Sequence, residues 1–192
     1  MLESSPGDDS SRGLVSFELL AFRGVVVLRG ESRIDERGTF RRMVDTEDLV
    51  ALGLESHIAQ VSNVTNVRRG TIRGLHYQAD PFGEAKTLWC VAGSVFDVIV
   101  DLRIEEPTYG KWLSMELSAD EPVALHVPRG VAHGYQTFED NTELMYLISA
   151  PYEADSARSL LWRDPTIGID WPLPVSAISQ RDQDAPLWPP RP

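Results

Sequence analysis

Nine consecutive residues, Gly70-Thr71-Ile72-Arg73-Gly74-Leu75-His76-Tyr77-Gln78, followed by Lys86, bring together three side chains with complementary chemistry. The imidazole of His76 can move protons near neutral pH. The planar guanidinium of Arg73 suits a phosphate or carboxylate. The ammonium of Lys86 can stabilise negative charge that develops during a reaction. Together they describe a site that binds an anion and takes a proton from it. Strict strand alternation would place Arg73 and His76 on opposite faces. Gly74 between them permits a bulge that would turn both to one side.

Other residues offer further chemistry. Tyr146, in Glu143-Leu144-Met145-Tyr146-Leu147-Ile148, shares a strand face with Leu144 and Ile148 and is expected to point inward. There it is either a core tyrosine with a tied hydroxyl or a general acid opposite a base. Asp35-Glu36-Arg37-Gly38-Thr39-Phe40 reads as a turn before a basic strand: either a solvated charged turn, or a phosphate grip by Arg37 with Phe40 as a surface for a flat ring. Pro128-Arg129-Gly130-Val131-Ala132-His133-Gly134 has the proline, glycine and histidine spacing of the second motif of cupin barrels. In metal-binding cupins that histidine is a ligand, and a His-x-His pair should accompany it. Here the pair would be His76 and Gln78, and Glu84 is wrongly spaced to replace the missing imidazole. Two imidazoles and an amide make a poor divalent-metal site, so no metal is expected.

The elements that must position these residues are mostly strands. They are expected at 24–28, 60–65, 71–78, 86–92, 95–102, 111–117, 123–127, 133–138 and 143–148, with Gly93-Ser94 read as a two-residue hairpin turn. Residues 45–52 form the best helix candidate, capped by Asp45 with Glu47 and Asp48 in its first turn. Many short strands at regular spacing predict an all-β sandwich or barrel with a few short helices. Residues 1–13 read as a disordered lead, 14–186 as one domain and 187–192 as a Pro-rich tail.

Composition narrows the function. The chain has 192 residues, a net charge of −11 and 42% hydrophobic residues, the balance of one globular domain. The acidic charge argues against nucleic acid and anionic membranes as partners. No apolar run is long enough to cross a membrane, and the N-terminus lacks a secretory core. The single Cys90 is compatible with a reducing cytoplasm, the expected location.

Taken in order, Asp35 to Gly38, Arg73 to Gln78, Lys86, Val95 to Asp101, Pro128 to Gly134 and Asp164 to Pro172 resemble the dTDP-4-dehydrorhamnose 3,5-epimerases. The resemblance runs from about residue 24 to about 186. It implies a cupin-type double-stranded β-helix, or jelly roll, and inversion at C3, C5 or both of a nucleotide-linked 4-keto-6-deoxy sugar. It assigns His76 as base, Tyr146 as acid, Lys86 to the keto oxygen and Asp182 as partner of the base. It gives Arg37 and Arg73 to the diphosphate and His133 to the sugar pocket. Asn63, Phe40 and Tyr152, with Gln60 beside Val61, fall where the nucleotide binds. It further implies a homodimer with exchanged N-terminal structure and no cofactor. Arg42, Val61 and Pro151 depart from the pattern and put the nucleotide's identity in question. Three alternatives remain at this point: a cupin-class 3,4-ketoisomerase, a non-catalytic sugar-nucleotide binder and a metal-dependent cupin oxygenase.

Overall fold

The computed structural model describes residues 16–188, and the expected lead at 1–13 lies outside them. In chain order the strands are β1 (Ser16–Leu19), β2 (Val26–Arg29), β3 (Ser32–Asp35), β4 (Gly38–Arg41), β5 (Gln60–Asn66), β6 (Ile72–Gln78), β7 (Lys86–Ala92), β8 (Ser94–Asp101), β9 (Trp112–Ser118), β10 (Val123–Val127), β11 (Val131–Thr137), β12 (Thr142–Ile148) and β13 (Ala157–Ser159). Two short helices join them, α1 (Thr46–Ala51) and α2 (Gln180–Gln183). Asp45 caps α1 as expected, accepting from the Glu47 amide.

Two antiparallel sheets face each other in a jelly roll. One has the order β1-β2-β10-β7-β12-β5, the other β13-β6-β11-β8-β9, and β3 pairs only with β4 in a separate hairpin. Gly93 is therefore not a hairpin turn. Strands β7 and β8, which it separates, belong to opposite sheets, and the backbone swings between them at Gly93 with φ of 70°. The turn signal was local, whereas the choice of pairing partner is made by distant strands.

Side-chain alternation sorts the core into layers. Val27, Leu88, Val95, Ile99, Leu125 and Leu144 meet between the sheets. Val26, Leu28 and Ala124 face outward, where Leu49 of α1 covers them. Leu75, Val98, Val100 and Ala132 face outward from the smaller sheet and are covered by Leu160, Ile167 and Trp188. Strands covered on both faces read as continuous apolar runs, which is why Val25 to Leu28 carries no polar residue. The packed domain extends past 186, the boundary expected from sequence. Trp188 is 8% exposed, lies against Tyr109 at 5.1 Å between ring centroids, and donates its backbone N–H to Asp164.

Candidate active site

The facing sheets leave a cavity of about 260 Å³ between β5, β6, β7, β11 and β12. His76, Arg73, Lys86, His133, Tyr146, Gln60 and Tyr152 all line it.

The bulge expected at Gly74 is present. His133 pairs with His76 and Tyr135 with Arg73, so one residue of β11 (Gly134) is opposed by two of β6 (Gly74 and Leu75). Leu75 turns outward into the covered apolar layer, while Arg73 and His76 both face the cavity. Gly74 has φ of 124°, and a Cβ there would stand 2.6 Å from Gly134 Cα. Two glycines in contact across the ladder are what let the bulge close.

His76 Nε2 lies 2.6 Å from Asp182 Oδ1. Asp182 is buried and arrives from α2, 106 residues away in the chain, where the Ser179 side chain caps the helix by accepting from its amide. Its other oxygen accepts from Gly74 N–H at 3.3 Å. Burial works against its charge, but hydrogen bonding and charge from His76, with the Gly74 and Ser179 contacts, hold its pKa below the usual carboxylate value. A charged acceptor on one imidazole nitrogen fixes the ring's tautomer and orientation and leaves the other nitrogen for the cavity. The ring itself is 39% exposed.

Tyr146 stands on β12 of the opposite sheet, inward with Leu144 as expected. Burial, and after it Tyr135 and Asp97, raise its pKa well above that of a free phenol, so it keeps its proton at neutral pH. Lys86, beside it on β7, is paired with Glu84 at 2.9 Å, and both side chains are almost enclosed. Gln78 faces elsewhere: its amide binds the Phe82 and Pro151 carbonyls and the Glu153 amide, clamping two loops.

Three of the expected binding residues lie apart from the cavity. Asn63 points to the outer face of β5, because β5 alternation sends Gln60, Ser62 and Val64 inward. Arg37 and Phe40 sit on the β3–β4 hairpin, along an open groove of about 470 Å³ away from His76. That groove is the larger cavity, but it lacks the facing base and acid.

Sequence reasoning missed Asp97, Tyr135 and Asn66. Asp97 Oδ2 lies 2.7 Å from His133 Nε2, with both side chains buried. A lone charge at an inward position of an apolar strand was the available signal. Tyr135, two residues beyond His133, shares its face by alternation.

The family model for dTDP-4-dehydrorhamnose 3,5-epimerase matches residues 19–189. The chain belongs to this family. A dTDP-4-dehydrorhamnose 3,5-epimerase of Sinorhizobium fredii is 37% identical over 171 residues, covering 88% of each chain. A dTDP-4-dehydrorhamnose 3-epimerase of Streptomyces niveus is 37% identical over 169 residues, covering 88% of this chain and 81% of the relative. The crystal structure of the Bacillus anthracis 3,5-epimerase with TDP and PPi bound superposes with a TM-score of 0.87 at 34% identity, covering 91% of this chain and all of that one. The protein is thus an isomerase of the cupin-type epimerases, with the jelly roll the family resemblance implied.

Proposed function

We propose that the protein inverts carbon 3, and carbon 5 with it, of a dTDP-linked 4-keto-6-deoxy sugar. The observation that carries this reading is a histidine–carboxylate pair on one sheet facing a protonated phenol and an enclosed lysine on the other. C3 is the centre named in both kinds of relative, and C5 is named only in the 3,5-epimerases.

The 4-keto group acidifies the C–H bonds on both neighbouring carbons. His76 removes the proton from one face, leaving its electron pair delocalised as an enolate. Lys86 balances the charge on the oxygen. Tyr146 gives its proton to the opposite face of the carbon, and the centre is inverted. Each inversion leaves His76 with one proton more and Tyr146 with one fewer, so both must exchange protons before the next. Asp182 stabilises the imidazolium formed in the first step. Arg73 holds the diphosphate, whose binding positions the sugar. Gln60, Tyr152 and His133 complete the pocket. The keto group is part of the substrate, so the scheme asks for no redox cofactor.

Arg37 and Phe40 enter this scheme through a second copy of the chain. The hairpin that carries them stands off the barrel, with Ile34 and Phe40 exposed, and its groove presents two arginines, Arg33 and Arg37. In a homodimer it reaches the partner's cavity. Mixing two inactive variants, Arg37→Ala and His76→Asn, then restores activity, because the heterodimer has one barrel with His76 and one intact hairpin to serve it. Activity no greater than the sum of the unmixed variants would confine each site to one chain.

The function is tested by proton NMR with dTDP-4-keto-6-deoxyglucose in deuterated water. Deuterium at C3 and C5 with a change of ring-proton couplings is the expected outcome. Deuterium at C3 alone makes the protein a 3-epimerase. No exchange at either carbon contradicts the reading.

A further inference from the structure

Beside Tyr146 in the cavity, a chain of hydrogen bonds runs from Tyr135 through Asn66, two residues that the scheme above does not use, to Arg73. Tyr135 is 2% exposed, and its hydroxyl donates to Asn66 Oδ1 at 3.1 Å. The Asn66 amide cannot be reversed. Its Nδ2 donates to the Thr142 carbonyl at 3.1 Å, and Arg73 Nε donates to the same Oδ1 at 2.9 Å. An amide oxygen only accepts, so the phenolic proton of Tyr135 is committed to it. Tyr135 and Tyr146 line the same cavity, their rings 6.2 and 5.9 Å from that of His133 between centroids, and the Tyr135 oxygen has only lone pairs to offer the hydroxyl of Tyr146. The polarity is fixed at Asn66, so in a hydrogen bond between the two phenols Tyr146 must be the donor.

We propose that Tyr135 is a positioning residue for the acid: with its own proton held by Asn66, it accepts the Tyr146 hydroxyl and keeps the proton there until the substrate carbon replaces it as acceptor. Release then needs only rotation of the hydroxyl about the C–O bond of Tyr146. The inference rests on reading Tyr146 as the acid, and it ties the acid to Arg73, the residue assigned to the diphosphate. Burial and its interaction with Tyr135 act in the same direction on the Tyr146 proton. The titratable and charged groups around Tyr146 are Tyr135 and His133 on β11, Asp97 on β8, Arg73 and His76 on β6, and Lys86 with Glu84 at β7. Of these, Asp97 raises and Arg73 lowers the Tyr146 pKa, and neither changes when the Tyr135 hydroxyl is removed.

The test is titration of the full chain labelled with 13Cζ-tyrosine, with Tyr146→Phe used to assign the resonance. In Tyr135→Phe, Tyr146 should ionise about one pH unit lower than in the wild type, because the neutral form has lost its acceptor. The alkaline limb of kcat should move the same way, with KM within about twofold of wild type. Asn66→Asp keeps the acceptor, so Tyr146 should ionise no lower than in the wild type. An unmoved or raised Tyr146 titration in Tyr135→Phe, or a lowered one in Asn66→Asp, overturns the proposal. The titration needs no substrate. If it behaves as expected while the wild type exchanges no sugar proton, the functional reading fails and the pairing of the two phenols stands.

Discussion

The barrel contains two histidine–aspartate pairs of almost equal length, and their surroundings give them opposite characters. His76 and Asp182 lie 2.6 Å apart, and His133 and Asp97 lie 2.7 Å apart. Asp182 comes from a separate helix, receives backbone and side-chain hydrogen bonds, and is held on the charged side of its titration. Asp97 sits inside β8 among Val95, Val98 and Ile99. Its Oδ1 has no hydrogen-bond partner among the described residues, and burial pushes its pKa up against the pull of His133. The imidazole of His76 reaches the cavity at 39% exposure, whereas that of His133 is only 5% exposed. A short contact between imidazole and carboxylate therefore does not make a base. The carboxylate must be kept charged by other donors, and the ring must have a free edge on the substrate.

Substitutions that keep shape and remove charge break this comparison most sharply. Asp182→Asn should lower kcat roughly 100- to 10,000-fold with little change in KM, because the imidazolium loses its counter-charge and the ring its correct tautomer. Steady-state kinetics on the nucleotide sugar measures it. Asp97→Asn should cost about tenfold or less in kcat, since the amide can still hold the His133 ring and no charge is asked of it. Equal losses from the two would erase the distinction.

A third histidine sharpens the contrast from the stability side. His126 is buried outside the cavity, with Nδ1 2.9 Å from Thr87 Oγ1, and burial lowers its pKa to about 4. The unfolded chain takes up this proton near 6.5 and the folded chain only near 4, so the unfolded state binds more protons between these values. Its contribution is complete above about pH 6.5 and is lost progressively down to about pH 4, by an amount on the order of 3 kcal/mol. Denaturant unfolding across this window should show a shallower pH slope in His126→Gln than in the wild type.

Much of this arrangement was legible in the sequence. Strand periodicity marked β7 and β10 end to end, and Asp45 marked the start of α1. Arg73-Gly74-Leu75-His76 carried the site because a glycine at that spacing can break alternation, and the bulge is there. The resemblance put Asn63 and Gln60 together at the nucleotide, whereas strand alternation, which separates them, leaves only Gln60 of the two in the cavity. Pairing across the fold was less accessible. Gly93 has a turn's conformation but connects opposite sheets, and nothing local distinguishes the two cases. Asp182 could be placed beside His76 only through the family resemblance, since 106 residues separate them. Asp97 was concealed by its apolar neighbours, although an acid at an inward strand position needs a partner. Tyr135 and Asn66 meet across the two sheets, from β11 of one to β5 of the other, a contact that neither strand's pattern encodes.

The most direct test of the central claim compares His76→Asn with His133→Asn in deuterated water, following the sugar protons of dTDP-4-keto-6-deoxyglucose by NMR. The account predicts that His76→Asn abolishes deuterium uptake at C3 and C5, and that His133→Asn still exchanges at a measurable rate. Uptake at the wild-type rate in His76→Asn, with none in His133→Asn, would mean that the buried pair supplies the base.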